Sequence, residues 1–277
     1  MKKFSLIIAT KDRLDLAQRF FTSLCTQTYT NFTVIFVFEN TCRSAAYALI
    51  QEFSKILQIK PVCTEPCSIS KARNKAFPLI DGDYIAFPDD DCIYFPETLA
   101  NAVQTFKKSP HPDVILARHI DIGQQDVDLN DNSIKKITKF SAFKRSETYL
   151  QFYTQRSLHQ IGYFDENLGG GTGLPYGCGE DTDYIIRACE QNLRVFTAAT
   201  VHVAHPAVDF SHPSLQKKVQ SYACGRMYLL RKHKFPLWFK LANIAFPLFM
   251  LPKEIVTVGG KSIPYRWNMF LSRLKYL

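Results

Sequence analysis

Short, continuous apolar runs alternate with helix-period segments along the first half of this chain. Phe4–Thr10, Thr33–Phe38 and Asp83–Phe87 are five to seven residues long and show no period-two alternation. Strands of this kind are typical of a parallel sheet that helices cover on both faces. The repeated order of apolar run and helical segment predicts an α/β fold with a mixed, mainly parallel sheet.

The second half is predicted to complete the same domain around a polar surface excursion at Asp121–Lys136. Gly162 is expected to end one of its helices, because glycine is favoured just beyond a helix C-terminus. The predicted helices are Gln155–Ile161 and Asp181–Gln191, and the predicted strands are Val114–Ala117, Ile137–Phe143 and Arg194–Val203.

The formal net charge of +9 is confined to the end of the chain. Residues 1–213 hold 22 Lys/Arg against 24 Asp/Glu, whereas residues 214–277 hold 12 against one. We therefore expect an α/β domain at 1–212 and a basic amphipathic helical extension at 213–277. Basic residues interleaved with aromatic ones suit an anionic membrane surface. Packing on the core or on a second subunit is the alternative, the oligomeric state stays open, and no recognition motif supports nucleic-acid binding.

Localisation follows from three features. The N-terminal apolar run is too short for a secretion signal, and eight cysteines without a Cys-x-x-Cys pair indicate the reduced thiols of a cytosolic protein. The 17-residue apolar stretch Phe235–Leu251 is interrupted by Pro247 and is shorter than the ~20 residues that a spanning helix needs. We expect a cytoplasmic protein, peripheral on the inner face of the cytoplasmic membrane.

Two acid clusters indicate chemistry. Asp89, Asp90 and Asp91 directly follow an apolar strand, and their mutual repulsion is tolerated mostly where a cation or charged ligand lies between them. Glu180 and Asp181 follow the glycine-rich stretch at 169–173. Together these features predict a metal ion, a phosphate group and a general base.

Four polar groups fall at predicted strand ends, where open α/β sheets bind ligands. We therefore expect them to converge on one pocket. Glu39 can accept hydrogen bonds from a base or a ribose, Arg73 can face a uracil or a phosphate, and Asp91 can hold a divalent ion that carries a diphosphate. The four groups are Thr10–Arg13, Glu39–Asn40, Ser68–Asn74 and Asp89–Asp91.

In several of its motifs the chain resembles the family-2 glycosyltransferases of the GT-A fold, of the bacterial surface-polysaccharide type. The matching motifs lie in family order, cover roughly residues 4–205, and are specific as a set although each is weak alone. They are Ser5–Arg13, Gln27–Phe32, Ser70–Lys75, Asp83–Asp91, Ile161–Glu166 and Gly179–Asp183.

The resemblance implies roles for individual residues. Asp181 matches the general base of inverting members, and Asp91 the metal-binding acid of the Asp-x-Asp motif. His205, rather than His202, falls where the family often places a histidine metal ligand, with Mn²⁺ or Mg²⁺ as the cofactor. The implied donor-binding residues are Thr10, Arg13, Glu39, Arg73, Asp89 and Asp90, and the implied acceptor-binding residues are Glu180, Tyr176 and Gly173.

The family usually carries Asp at the second-strand position, whereas this chain has Glu39 followed by Asn40. Processive synthases of the family carry Gln-x-x-Arg-Trp. Here Ile263 takes the place of that Gln before Arg266.

We therefore expect transfer of one sugar, with inversion, from a nucleotide-sugar to a lipid-linked glycan, with a UDP-sugar as the favoured donor. The rival hypotheses are a catalytically silent nucleotide- or glycan-binding module and a sugar-nucleotidyltransferase. The latter usually opens with a glycine-rich phosphate loop, and Thr10–Arg13 contains no glycine.

Overall fold

The computed structural model describes residues 1–124, 131–207, 213–258 and 263–277. Contacts divide these residues into two compact units. The sheet unit comprises Met1–Asp165 and Asp181–Ala207, and the helical unit comprises Glu166–Glu180 and the described part of Val208–Leu277. The division at 212/213 stays a prediction.

Within the described residues of the sheet unit, eight strands form one sheet in the order β3-β2-β1-β4-β7-β6-β8-β5. Four of the seven neighbouring pairs are parallel; β7 runs antiparallel to β4 and β6, and β5 antiparallel to β8. The predicted mixed, mainly parallel α/β sheet is therefore confirmed. The strands are β1 Phe4–Thr10, β2 Phe32–Glu39, β3 Ile59–Thr64, β4 Tyr84–Ala86, β5 Ile93–Tyr94, β6 Val114–Asp121, β7 Gln151–Thr154 and β8 Val195–His205.

Helices of the sheet unit bury the apolar side chains of β1 and β2. Phe21 on the first helix packs edge-on against Phe36, with ring centroids 5.1 Å apart, and both side chains are fully buried. Burying a side chain of this size contributes about 1.5–3 kcal/mol. The helices are α1 Leu14–Cys25, α2 Arg43–Phe53, α3 Ile69–Ala76, α4 Thr98–Lys107, α5 Gln155–Ile161 and α6 Glu180–Glu190, of which only Glu180 is assigned to the helical unit.

One of the predicted elements is wrong. The α5 helix has the predicted bounds, and Gly162 caps it with a φ of 80°. The predicted strand at Ile137–Phe143 is instead a turn that leads into a 3₁₀ helix at Ala142–Lys144. Only the preceding residue, Lys136, forms an isolated bridge with Phe196. Ser141 and Thr138 exchange local hydrogen bonds there, including Thr138 N–H to Ser141 Oγ at 2.9 Å, and such bonds compete with strand pairing.

The β6–β8 ladder contains a bulge. Ala117 pairs with Ala198, but the next residue, Arg118, pairs with His202, so residues 199–201 are extra on β8. Side chains of α4 hold this bulge, because Asn101 donates to the carbonyl of Thr200 at 2.9 Å and Thr98 to that of His202 at 2.7 Å. A bulge of this kind re-aims the side chains that follow it.

An ion pair fixes the start of the same ladder. Asp113 accepts hydrogen bonds from the backbone N–H of Arg194 at 2.9 Å and from its Nε at 3.0 Å. Burial opposes ionisation of Asp113, but Arg194 outweighs it and lowers the pKa of the carboxyl below 3.8. The pair therefore contributes stability above that pH and loses it as the pH falls through the lowered pKa.

We expect Asp113→Asn to lower the free energy of unfolding by about 1 kcal/mol at neutral pH, since half-exposed Arg194 is screened by solvent. Urea unfolding at about pH 7 and about pH 3 checks this, because the difference between the two proteins should shrink at the lower pH. If the difference in free energy of unfolding were equal at both pH values, the lower stability of the variant would come from packing of the amide and not from loss of the ion pair.

The helical unit contains α7 Pro213–Lys232, α8 Leu237–Val258 and α9 Ile263–Lys275. Val219, Ala223, Tyr265 and Met269 form its small buried cluster. A Cβ on Gly225 would lie 2.5 Å from the Sγ of Cys178, so only glycine allows the 166–180 segment to approach α7 this closely.

Among the helices that the structure describes, none is long and apolar enough to cross a membrane.

Candidate active site

The predicted donor residues of the first half lie at the carboxyl ends of neighbouring strands. Thr10 ends β1 and is buried, and Glu39 ends the adjacent parallel strand β2. Asp89 follows β4 and forms a parallel bridge with Ala9, one residue before Thr10. Parallel neighbours finish at the same edge of a sheet, so the fold brings these three positions to one edge.

Arg13 binds the acidic run that follows β4. Its guanidinium donates to both carboxylate oxygens of Asp90 and, from Nη1, to Asp91 Oδ2 at 3.1 Å. Burial raises the pKa of Asp90 to about 6, although the Thr10 hydroxyl and Arg13 act in the opposite direction. Arg13 thus compensates part of the repulsion in this run, while its side chain stays half exposed.

Arg73 is almost fully buried and supports Asp89. It donates to Asp89 Oδ1 at 2.8 Å and to the hydroxyl of Thr148 at 3.2 Å, and its guanidinium lies 5.6 Å from the ring centroid of Phe164. The neighbouring Asn74 exchanges two 2.9 Å hydrogen bonds with the backbone of Phe164. These contacts fix the planar guanidinium, which suits bidentate binding of a phosphate.

Asp89, Asp91 and His205 form a cluster that could hold a divalent cation. One ligand atom from each lies within 4.8 Å of the others. His205 Nδ1 faces the carbonyl of Pro206 at 2.9 Å, and Nε2 lies 3.2 Å from Asp91 Oδ1, a buried oxygen that accepts no other hydrogen bond from the described residues. A carbonyl partner on Nδ1 leaves Nε2 as the ligand atom. Two carboxylates and an imidazole suit Mn²⁺ or Mg²⁺.

Charge coupling within this cluster is strong. Burial opposes ionisation of Asp91, but His205 and Arg13 outweigh it and lower its pKa. Burial likewise works against protonation of His205, but Asp91 outweighs it and raises the pKa of the imidazole. Burial and the neighbouring charge of Asp91 raise the pKa of Asp89, although Arg73 opposes them. A bound cation would compensate the negative charge of Asp89 and Asp91.

Sequence reasoning missed the aromatic support of His205. The ring of Tyr149 stacks on the imidazole of His205, with centroids 4.3 Å apart and planes 7° apart. The Tyr149 hydroxyl lies 2.9 Å from His119 Nδ1, and His119 Nε2 lies 2.8 Å from Asp121. Tyr149 belongs to no recognised motif, so its role becomes visible only through the fold.

Asp181 lies in the first turn of α6. Its Oδ1 accepts from the backbone N–H of Thr182 at 2.5 Å, and its carbonyl accepts from Gln151 at 3.2 Å. Asp183 is fully buried and pairs with Arg187 at 2.8 Å, a structural ion pair one helical turn apart.

The residues 146–151 connect these sites. Ser146 binds the hydroxyl of Thr182 at 2.6 Å, Thr148 binds Arg73, Tyr149 stacks on His205, and Gln151 binds the carbonyl of Asp181. This segment therefore contacts the predicted diphosphate residue, the predicted metal ligand and the predicted base.

The predicted acceptor residues belong to the helical unit. Gly173 is exposed, with a φ of +73° that favours glycine. Tyr176 stacks on Tyr228, with centroids 4.3 Å apart and planes 5° apart. Glu180 begins α6.

Comparisons with known proteins agree with this geometry. The family described as Glycosyl transferase family 2 matches residues 5–164. Protein CgeD of Bacillus subtilis (strain 168) is 26% identical over 125 residues, which are 42% of this chain and 29% of the length of CgeD. The chain thus aligns with less than a third of this curated relative.

Solved structures share the fold. TarS 1–349 of S. aureus is 17% identical with a TM-score of 0.65, and the match covers 99% of this chain and 80% of that one. The mannosyltransferase PcManGT from Pyrobaculum calidifontis, solved with GDP-Man and Mn²⁺, is 15% identical with a TM-score of 0.67, covering 99% and 85%. These likenesses confirm the predicted GT-A fold. Since the family match spans more than half of the chain, this protein belongs to glycosyl transferase family 2.

Proposed function

We propose that this protein is a metal-dependent, inverting glycosyltransferase that moves one sugar from a nucleotide-sugar to a glycan acceptor. The observation that carries the proposal is the cluster of Asp89, Asp91 and His205. Two arginines pair with its acids, Arg13 with Asp91 and Arg73 with Asp89. A silent binding module has no need of such a cluster together with an acid placed like Asp181.

The donor is proposed to bind at the carboxyl ends of β1, β2 and β4. Thr10 and Glu39 would face the base and ribose, Arg13 and Arg73 the diphosphate, and Asp89 and Asp90 the ribose and sugar. Among the similar structures, TarS is described in complex with UDP and with UDP-GlcNAc, and PcManGT with GDP-Man. We favour a UDP-sugar here.

Asp89, Asp91 and His205 would hold Mn²⁺ or Mg²⁺. When bound, such an ion neutralises negative charge on a diphosphate. Fit is supported by the buried, otherwise unbonded Oδ1 of Asp91 and by the orientation of His205, which Pro206 and Tyr149 fix. Asp91 and Asp89 also pair with Arg13 and Arg73, the two residues that would face the leaving group.

Asp181 is proposed as the general base. Its carboxylate takes the proton of the acceptor hydroxyl as that oxygen bonds to the anomeric carbon. The bond from that carbon to the diphosphate oxygen breaks at the same time, and the nucleoside diphosphate leaves with the electron pair. Arg13 and Arg73 stabilise its charge. A single displacement of this kind inverts the anomeric configuration.

The acceptor is proposed to be a lipid-linked surface glycan that binds through Gly173, Tyr176 and Glu180. The helical unit exposes large apolar side chains within a strongly basic part of the chain. On α8, Trp238, Leu241 and Phe249 lie at helical spacings of three and eleven, which place them on one face. Apolar and basic groups together suit an anionic membrane surface at the cytoplasmic side.

Replacing Trp238 and Phe249 by Ser should weaken co-sedimentation with phosphatidylglycerol vesicles by about tenfold or more, because two side chains lose their insertion into lipid. These residues are 63% and 77% exposed, so the folded protein should tolerate the change. Ile56 and Tyr163 of the sheet unit are comparably exposed at 69% and 59% and provide the matched double-Ser control. Equal binding by the two variants would place the contact elsewhere.

The proposed activity is tested with a panel of UDP-, GDP- and dTDP-sugars, with Mn²⁺ or EDTA, by measuring release of nucleoside diphosphate. We expect one donor to give release that EDTA abolishes. If no donor gives release, calorimetric measurement of nucleotide binding distinguishes the two explanations. Neither release nor nucleotide binding would contradict the proposal. Nucleotide binding without release, even with a lipid-linked glycan acceptor supplied, would favour the catalytically silent module.

A further inference from the structure

A second concave site lies in the sheet unit, apart from the cluster of Asp89, Asp91 and His205. An open cavity of about 410 Å³ is bounded by the middle of β6, by β8 beside its bulge, and by residues 131–145. Its volume is within the ~300–1,000 Å³ typical of small-ligand sites. Among the residues that the structure describes, the charged ones that line it are Arg118, Lys135, Lys136, Lys144, Arg145 and one acid, Asp131.

This concentration of cations is local. Residues 1–213 as a whole carry slightly more acids than bases, yet five cations and one acid of the described residues line this cavity. No ion pair among the described residues includes Lys135, Lys136, Lys144 or Arg145. Asp131 accepts from the backbone N–H of Ser133 at 2.8 Å, and this bond, with the charges of Arg118 and Lys135, lowers the pKa of its carboxyl. Like charges held in a concave site repel one another and focus a positive potential.

Hydrogen bonds fix the backbone that carries Lys135 and Lys136. The carbonyl of Lys135 accepts from the backbone N–H of Thr197 at 2.9 Å, and the backbone N–H of Lys135 donates to the Thr197 hydroxyl at 3.0 Å. Ile137 donates to the carbonyl of Val195 at 2.8 Å. These bonds join residues 135–137 to the first part of β8, ahead of the residues that pair with β5, so the lysines are presented by backbone that is hydrogen-bonded to the sheet.

We propose that this cavity is an oxyanion site that binds a phosphate-bearing ligand. Guanidinium groups from Arg118 and Arg145 match phosphate oxygens bidentately, and the lysines add point charges. The site is distinct from the donor site, because Arg118 precedes Asp121, the register partner of His205, by three residues, or roughly 10 Å of strand. The ligand is either a free phosphate compound or a glycan that carries phosphate.

Calorimetric titration of the full chain with pyrophosphate, in EDTA, tests the site. The triple variant Lys135→Ala, Lys144→Ala, Arg145→Ala removes three exposed cations from the cavity. The matched control Lys55→Ala, Lys107→Ala, Lys108→Ala removes three exposed cations elsewhere in the same unit. We expect the cavity variant to lose one pyrophosphate site, or about tenfold or more in affinity, relative to the control. Equal binding by both variants, or no binding by the unmodified chain, overturns the proposal.

A phosphorylated oligosaccharide and its neutral counterpart separate the two sources. Preference for the phosphorylated form that the cavity variant loses would identify a glycan-borne phosphate. If the cavity variant loses affinity for pyrophosphate but binds both oligosaccharides as the unmodified chain does, the ligand is a free phosphate compound. Because neither titration requires a donor sugar or turnover, failure of this site and failure of the proposed transferase activity are distinguishable.

Discussion

Asp181→Asn is expected to lower the rate of sugar transfer by about 10²–10⁴-fold, the usual contribution of general-base assistance. The amide keeps the size of the carboxylate but cannot take a proton from the acceptor hydroxyl. The loss should appear in kcat, with the affinity for the nucleotide unchanged, because Asp181 contacts the 146–151 segment through its backbone carbonyl.

The matched control for this variant is Asp15→Asn, which alters an exposed acid in the first turn of α1. It should retain full transfer. Turnover of the Asp181 variant within a few-fold of the unmodified protein would remove Asp181 from the role of base, and a parallel loss of nucleotide affinity would assign it a structural role.

Asp91→Asn should abolish metal-dependent release of nucleoside diphosphate. Asp91 supplies one of three ligand atoms in its cluster, and loss of a direct ligand should weaken Mn²⁺ binding by about 100-fold or more, since even outer partners contribute 10–100-fold. Mn²⁺ affinity is measured by electron paramagnetic resonance and release in a separate assay, so binding is read without turnover.

Asp81→Asn provides the control, because Asp81 is a surface carboxylate that pairs with Lys3 and Lys60 in the same unit. It should bind Mn²⁺ as the unmodified chain does. Unchanged Mn²⁺ affinity in the Asp91 variant would contradict the assignment of the cluster, whereas lost affinity with unchanged release would show that the reaction proceeds without the ion.

The fold could be predicted from local patterns because parallel strands impose a strong one. Every residue of β2 except Glu39 is buried, and among these buried residues only Thr33 is polar. The strand-end rule then placed Thr10 and the acids after β4 near each other without knowledge of any contact. The stop of α5 at Gly162 likewise depends on one residue and its neighbours.

The remaining features depend on contacts between distant residues, which local periodicity does not encode. Tyr149 stacks on a histidine 56 positions later, and the acids of Asp89–Asp91 are partly neutralised by Arg13 from another strand end. The segment 166–180 belongs to the helical unit because, among other contacts, Cys178 fits against Gly225. The wrong strand at Ile137–Phe143 arose because its apolar residues resemble a strand, although Thr138 and Ser141 close a turn.

The bulge in β8 has a consequence for comparing this chain with homologues. Continuing the register from Ala117 and Ala198 without interruption would set His202 opposite Asp121, whereas the observed register sets His205 there. The three inserted residues thus determine which of the two histidines, His202 or His205, lies opposite Asp121. An alignment that moves a gap by three positions in β8 would assign the wrong histidine, and a natural deletion of residues 199–201 would exchange the two without altering any recognisable motif.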